Sequence, residues 1–494
     1  MSQMPDPSEA IPIPLKASVA DAPARRAATP NQVLAIVSVG IVLANLDLFI
    51  VNVALPDIAI DFKGSSLEDL SWILNGYAIA YAALLVFFGR IAEGFRRDLS
   101  FLAGVALFTA ASAACSAAQG VGMLVAARLV QAAGAALLTP TSIGLILATF
   151  APERRGGAVR TWAAIGGLAA ALGPPIGGLL VMASWRWIFL VNLPIGLAAL
   201  VIGFWKLPRI PGHPVARPSL LAAGLVTGGI AALTFAIIKA NDWGWRSPGI
   251  AISVGASILC LGLFVWHCLR SSAPFVDPAL FRVRPFTAAA LVMAPYSIAF
   301  GSTLFSIAVW GQTVWGWSAL KTSLAIAPGP FLVPVTSLLL AGRLIKRFGA
   351  APVVIAGVVF FAAGLSIWAS QMTLRPDAVV FVLGIASTGI GVGLTFPTLM
   401  GVGTGSLPSS GFATGSGVIN MIRQSALAIG VAIFVAVIAG ADTPAAKLAA
   451  FQTGWWLMAA ITALALLPTL MLARPAHPQT QPHQSPSRLQ GERS

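Results

Sequence analysis

The chain has 494 residues, of which 57% are hydrophobic and only 9% are charged, and its mean hydropathy is +0.87. Because a water-soluble domain carries charge on about a quarter of its residues, this composition excludes one and indicates a polytopic membrane protein. The net charge of +14 does not indicate binding to nucleic acid, because the basic residues are spread over short loops between apolar segments.

The apolar segments predict an all-α protein with fourteen membrane-spanning helices, since each segment is long enough to cross a hydrocarbon core of about 30 Å. In chain order they cover residues 33–55, 70–90, 99–119, 121–148, 158–183, 186–205, 219–240, 247–269, 285–312, 320–344, 352–371, 377–402, 414–439 and 452–472. The regions outside them, 1–32 and 473–494, are polar and rich in proline, and we expect both to be disordered and cytoplasmic. No apolar signal peptide is visible in the first region.

The distribution of Lys and Arg predicts the orientation of these helices. An even number of spans places both termini on the same side of the membrane. With the termini inside, the cytoplasmic loops hold about three times as many basic residues as the outer loops. We therefore expect a multi-pass protein of the cytoplasmic (inner) membrane with both termini in the cytoplasm.

Asp47 is the one acidic residue that this map places deep inside a membrane span. Holding a charged carboxylate in hydrocarbon costs several kcal/mol, so Asp47 marks a proton or substrate site. Asp47 lies about 13 Å and Arg128 about 10 Å below the outer surface, at about 1.5 Å per residue along each helix. If their helices are neighbours, the two can pair and couple proton movement, with Gln131 bridging them from the same face as Arg128. The alternative is a permanent structural ion pair.

A basic, glycine-containing loop follows the second span and is repeated after the tenth. Two such copies predict a duplicated transporter, with six-helix units over 33–205 and 285–472 and two additional helices with linkers over 206–284. We predict that both copies act as gating loops, although they are also compatible with a role in orientation alone. Their residues are Gly89, Arg90, Glu93, Arg97, Gly342, Arg343, Arg347 and Gly349.

The fifth span contains the sequence Gly-Pro-Pro-Ile-Gly-Gly at 173–178. Glycine lets a helix approach its neighbour closely, and proline lets it bend, so Gly173, Pro174, Gly177 and Gly178 predict a hinge or a seal. The alternative is ordinary helix packing, in which membrane helices also use these residues.

Polar and aromatic residues of the central spans are candidates for the lining of a substrate cavity. For the aromatic residues, packing against protein or lipid is the alternative, and for Arg423 the alternative to orienting a substrate is a side chain that snorkels. With a single membrane carboxylate, the chain favours neutral, monocationic or weak-acid lipophiles over dications. The candidates are Asn45, Asn52, Tyr77, Gln131, Phe305, Trp310, Gln312, Asn420, Arg423 and Gln424.

Enzyme chemistry has little support in the sequence. The four histidines lie in loops, at a helix end or in the tail, so they predict neither a metal site nor a nucleophile with its base. A phosphate-binding Gly-x-x-x-x-Gly-Lys loop is also missing, which excludes an ATP-driven pump within this chain. The sequence therefore predicts no cofactor and an ion gradient as the energy source.

The order of these motifs over residues 33–472 resembles the major facilitator superfamily, and within it the fourteen-spanner drug:proton antiporter branch of the QacA/EmrB type. The similarity includes residues 46–56, the Arg128-x-x-Gln131 motif, residues 173–178, and Trp185 to Phe189 followed by Asn192. Gly411, Gly415, Asn420 and Arg423-Gln424 resemble the start of the branch's thirteenth span. The first basic loop departs from the family pattern, with Glu93 in place of the usual Asp. The resemblance implies the major facilitator fold, with two pseudo-symmetric six-helix bundles plus two extra central helices.

The leading functional prediction is proton-coupled export of drugs or other lipophilic small molecules, with the lipid bilayer and protons as the other partners. A dedicated exporter of one metabolite, such as a secondary metabolite, amino acid or siderophore, is the alternative. A receptor or assembly factor that transports nothing is a third hypothesis, against which the paired loops and Asp47 argue. The branch contains members that work with a periplasmic adaptor and members that work alone, and the sequence leaves both open.

Overall fold

In a computed structural model the predicted spans form fourteen helices that are long and apolar enough to cross a membrane. The structure describes residues 28–63, 67–212, 219–272, 274–407 and 412–472, so most of the two predicted terminal extensions lies outside the described residues. The helices are α1 (Pro30–Asp61), α2 (Leu67–Gly94), α3 (Arg97–Ser116), α4 (Val121–Thr149), α5 (Pro152–Val181), α6 (Trp187–Lys206), α7 (Leu220–Trp243), α8 (Pro248–Arg270), α9 (Arg284–Val314), α10 (Ala319–Phe348), α11 (Ala350–Gln371), α12 (Ala378–Gly405), α13 (Phe412–Ile438) and α14 (Pro444–Thr469).

The predicted number of spans is confirmed, but several boundaries move. Helix α1 continues through Pro56 to Asp61, beyond the predicted end at residue 55. A proline removes one backbone hydrogen bond, and packing against neighbouring helices lets a membrane helix tolerate that loss. At its other end α1 begins at a capping box, in which the side chains of Thr29 and Gln32 satisfy backbone groups of the first turn.

Helices α9 and α10 are irregular where the sequence predicted continuous spans. Helix α9 ends in a π-helical turn at Trp310–Val314, and α10 contains another at Thr336–Ala341. Helix α10 is also interrupted at Ala327, just before Pro328. Such turns are frequent at functional sites, and both helices also line a central cavity.

The helices pack mainly within the first six and within the last six. In the first group α4 contacts α1, α2 and α3, and α5 contacts α1; in the second, α12 contacts α10 and α11, and α9 contacts α13. Between the groups, α2 packs on α13, α5 on α10 and α1 on α9. The residue limits of the two bundles, 33–205 and 285–472, stay a prediction.

The two additional helices lie beside the seam between the groups. Helix α7 contacts both α2 and α13, whereas α8 packs mainly on α7. Gly229 of α7 accepts a hydrogen bond from the Ser257 hydroxyl of α8 (2.8 Å), which joins the pair. Because α8 leaves most of its apolar surface exposed, it faces the lipid.

Candidate functional site

Asp47 and Arg128 form an ion pair inside the first group of helices. Asp47 comes from α1 and Arg128 from α4, and both side chains are 0% exposed. The Arg128 Nη1 atom donates to Asp47 Oδ2, and its Nε atom donates to the Ile73 carbonyl oxygen of α2 (3.3 Å). The pairing that we inferred from depth along each helix is therefore present, because α1 and α4 are neighbours.

Neutral polar side chains complete the shell around Asp47. Its Oδ1 atom accepts hydrogen bonds from Gln131 Nε2 (2.8 Å) and from Asn192 Nδ2 (3.3 Å). The Ser112 hydroxyl of α3 accepts from the same two amides, at 2.7 and 3.3 Å. Four helices thus contribute to a desolvated network whose single negative charge is balanced by one guanidinium.

Aromatic rings cover the guanidinium. The Arg128 Cζ atom lies 3.9 Å from the centre of the Tyr77 ring and 5.9 Å from that of Phe189. Tyr77 stacks on Tyr81 with an interplanar angle of 5° and a centroid separation of 6.0 Å. The Tyr81 hydroxyl pairs with the Thr139 hydroxyl (2.9 Å), while the buried Tyr77 hydroxyl has no partner in the described part of the chain. Tyr77 therefore acts on the ion pair through its ring face.

A central cavity of about 530 Å³ lies between the two groups of helices. Phe49 of α1, Phe300 of α9 and Phe396 of α12 form an aromatic wall, in which the Phe300 centroid is 6.2 Å from that of Phe49 and 5.2 Å from that of Phe396. The polar side chains that reach it are Asn45, Thr303, Ser337, Thr388, Thr398, Arg423 and Gln424. Its volume and mostly apolar lining suit a drug-sized molecule.

Three of the ten predicted cavity residues line this cavity: Asn45, Arg423 and Gln424. Gln131 and Tyr77 belong to the Asp47 network instead. Asn52 lines a small adjoining void of about 40 Å³, together with Asn75, whose buried amide has no partner in the described chain.

The other predicted cavity residues point elsewhere. Phe305 is buried against Phe434, and Trp310 packs against Trp315, Phe451 and Trp455. The side chain of Asn420 donates to the Ser416 carbonyl oxygen of its own helix (3.0 Å). Phe305 and Trp310 thus pack within the second group of helices, and none of the three residues is among those that line the cavity.

The C-terminal end of α5, where the seal is predicted, packs against the N-terminal part of α10. A Cβ atom at Gly178 would come within 2.5 Å of Ser323 Oγ, so the missing side chain lets the two helices touch. Gly173 and Gly177 contact α1 in the same way, and α5 stays helical through Pro174. Near this end Gln312 Nε2 donates to the Val53 carbonyl oxygen (3.0 Å), which links α9 to α1.

The opposite end of the cavity lies on the side of the basic loops. Ala163, Gly342, Ile345 and Gly401 line it there, and Gly342 opens the second loop copy. In that copy Arg347 lies over the Phe348 ring (5.2 Å), Arg343 is exposed, and Gly349 has the positive φ of +84° that favours glycine.

The first loop copy contacts α4 at both of its ends. Gly89 lies near Pro140 of α4, and Arg97 Nη1 donates to the Gly144 carbonyl oxygen of α4 (3.0 Å). The side chains of Arg90 and Glu93 lie outside the described residues. The gating role of either copy stays a prediction.

Sequence reasoning missed Ser112 and Asn192 as part of the Asp47 network, and Phe49, Phe300 and Phe396 as one aromatic wall. Asn192 entered the sequence analysis only as part of the motif that begins at Trp185. Ser112 carried no signal, because small polar residues are common in membrane helices.

In the described part of the chain, twelve membrane-length helices form two packed groups around a central cavity, and two more lie beside the seam; this arrangement defines a polytopic membrane transporter. The chain belongs to the Major Facilitator Superfamily, whose family model matches residues 37–431. The resemblance that the motifs indicated is thereby confirmed, and with it the major facilitator fold, with two six-helix bundles plus two extra central helices.

Relatives and solved structures agree with this assignment. The chain is 32% identical to the tetracenomycin C resistance and export protein of Streptomyces glaucescens, over 83% of this chain and 75% of the relative. It is 31% identical to the multidrug resistance protein Stp of Mycobacterium tuberculosis, over 81% of this chain and 74% of the relative. The structure is similar to that of an auto-inhibited POT family peptide transporter, with a TM-score of 0.65 and 15% identity over 90% of this chain and 97% of that one. At this identity the structural likeness shows the fold alone.

Proposed function

We propose that the protein is a proton-coupled antiporter that exports drugs or other lipophilic small molecules. The observation that carries this proposal is a fully buried Asp47–Arg128 pair beside a drug-sized apolar cavity. Proton coupling needs a titratable group such as the paired Asp47 inside the membrane, and a lipophilic cargo needs an apolar cavity of its own size. Relatives whose names describe resistance and export support the same direction of transport.

The coupling step uses the contact between α1 and α4. While Arg128 stays on Asp47, its positive charge favours the ionised carboxylate. A movement of α1 relative to α4 that separates the two leaves a desolvated carboxylate, which takes up a proton. Because α1 also supplies Asn45 and Phe49 to the cavity wall, occupancy of the cavity and protonation of Asp47 act on the same helix.

The proposed orientation places both termini and the basic loops in the cytoplasm, in the cytoplasmic (inner) membrane. The cavity then opens toward the cytoplasm, and the contact between Gly178 and α10 closes the outer side. In this conformation the cavity can bind a cargo from the cytoplasm before exporting it. A periplasmic adaptor is a possible partner, and the proposed coupling step is the same with an adaptor and without one.

A second candidate function is export of a single metabolite. Its support is that several relatives are named for one compound, as in the methylenomycin A resistance protein of Bacillus subtilis, which is 31% identical over 65% of this chain and 69% of the relative. Competition between chemically unrelated ligands separates the two functions. A multidrug exporter yields mutual competition, whereas a dedicated exporter responds to one chemical family.

The decisive experiment measures proton release in proteoliposomes with a pH-sensitive dye, after addition of lipophilic cations, neutral compounds and weak acids. We expect release with some of these compounds, and we expect the Asp47→Asn variant to lose it. Asp57→Asn is the matched control, because Asp57 lies on the same helix but outside the buried network. Transport that remains pH-driven in Asp47→Asn, or a folded native protein that is silent with every compound, would refute the proposal.

A further inference from the structure

Arg423 is a partly buried cation that has no counter-charge among the described residues. It lies near the middle of α13, and its Nε atom is shielded from solvent and has no hydrogen-bond partner. Among the described residues it has no carboxylate partner, because Asp47 is committed to Arg128 and the other acidic residues lie at helix ends or in loops. Holding an unpaired charge at this depth in the membrane costs free energy. We therefore expect a bound ligand to compensate the charge of Arg423.

The neighbours of Arg423 do not neutralise it. Its guanidinium lies 5.7 Å from the centre of the Phe396 ring, which offsets only part of the burial cost. The titratable side chain that interacts with it is Tyr81, whose hydroxyl pairs with Thr139 and which carries no charge at neutral pH. The side chain of Glu93 is not described, but Val86 of α2 lies level with Gly417, and from there Glu93 and Arg423 lie in opposite directions along their helices.

Apart from Arg423, the cavity wall is mostly apolar and aromatic, and its other polar side chains are neutral amides and hydroxyls. Phe49, Phe300 and Phe396 supply three ring faces and edges, and Gln424 adds an amide whose buried Oε1 atom has no donor in the described chain. A flat aromatic ligand packs against such rings, while its anionic group pairs with the guanidinium. A cationic ligand would meet Arg423, and the described residues of the wall include no carboxylate to attract it.

We propose that the cavity selects aromatic organic anions, meaning lipophilic weak acids whose carboxylate or phenolate binds Arg423 while the rings contact Phe49, Phe300 and Phe396. This inference rests on the proposed export function and narrows its cargo. The two arginines then have different partners. Arg128 of the first bundle pairs with Asp47 at the proton site, and Arg423 of the second bundle pairs with the anionic group of the ligand.

The test compares three ligands of one shape: 1-hydroxy-2-naphthoate as the anion, its carboxamide as the neutral form and the corresponding aminomethyl compound as the cation. Binding to the native protein in nanodiscs is measured at a pH at which these charges are fixed. We expect the anion to bind about tenfold or more tightly than the amide, and the cation to bind most weakly. This comparison uses the native chain alone, so it does not depend on the folding of a variant.

Substitutions then assign the preference to one residue. Arg423→Gln should abolish the preference by weakening the anion alone, Arg423→Lys should keep most of it, and Phe396→Leu should weaken all three ligands to a similar degree. Equal binding of anion and amide, absence of binding by all three, or an Arg423→Gln variant that weakens all three equally would overturn the inference. Proton release driven by cations or neutral compounds but not by anions would overturn it while leaving the proposed export function intact.

Discussion

Arg128 donates a hydrogen bond to Asp47 across the interface of α4 and α1, and neither side chain reaches solvent. A buried pair of this kind contributes little net stability, because the desolvation of two charges offsets their attraction. Removing one partner lowers the stability of the protein much more, since the other charge then stays buried and uncompensated. The pair is consequently a place where helix position and protonation are linked.

Replacement of one partner should therefore cost more than replacement of both. We expect Arg128→Met to destabilise the protein by about 3–5 kcal/mol, and the double variant Asp47→Leu with Arg128→Met to recover most of that loss. Unfolding in detergent, followed by circular dichroism at one pH, measures both values. If the double variant were as unstable as the single one, the uncompensated charge of Asp47 would not be the cause of the lost stability.

The Tyr77 ring should matter to this site and its hydroxyl should not. The ring centre lies 3.9 Å from the Arg128 guanidinium, whereas the hydroxyl is buried without a partner. We expect Tyr77→Phe to behave like the native protein and Tyr77→Leu to lose about 2 kcal/mol of stability, with weaker proton coupling. A coupling ratio and unfolding midpoint unchanged in Tyr77→Leu would contradict a positioning role for the ring.

A methyl group at Gly178 should open the outer side of the cavity. It would lie 2.5 Å from Ser323 Oγ and 3.0 Å from the Ala319 carbonyl oxygen, so it separates α5 from α10. An overpacking cost of about 1 kcal/mol shifts the population of closed molecules by about fivefold. The measurement is labelling of Phe300→Cys by a membrane-impermeant thiol reagent from the outside, in a background without native cysteines.

The matched control for that experiment is Gly255→Ala. No atom lies within 4 Å of a Cβ at Gly255, which is on α8 and away from the cavity. We expect faster labelling in Gly178→Ala and unchanged labelling in Gly255→Ala. Equal rates in the two variants would mean that the contact of α5 with α10 is not the seal.

Export of an anion should respond to the membrane potential. Each elementary charge that crosses gains about 2.3 kcal/mol per 100 mV, so expulsion of a monoanion in exchange for a proton moves two charges in the favourable sense. We expect efflux of 1-hydroxy-2-naphthoate from right-side-out vesicles to accelerate when a potassium diffusion potential makes the inside negative. The carboxamide should respond less, and anion efflux that is indifferent to the potential would argue against this charge movement.

The number of spans and the similar depth of Asp47 and Arg128 were accessible from the sequence alone, whereas the adjacency of α1 and α4 was only implied by the family resemblance. Hydropathy reports length and depth along each helix, and two charges at one depth on neighbouring helices have strong reason to meet. The same reasoning predicted a close helix contact at Gly178, because close helix approach requires a residue without a side chain; its role as a seal stays a prediction.

Tertiary structure decided which face of each helix meets which neighbour. Phe305 and Trp310 pack within the second bundle while Phe300 and Phe396 form the cavity wall, and Ser112 and Asn192 join the Asp47 network from α3 and α6. A helix that is apolar all round gives little indication of its rotation, because lipid tails and a protein interior are equally apolar surroundings. Depth was thus fixed by the sequence, and rotation by the packing of fourteen helices against one another.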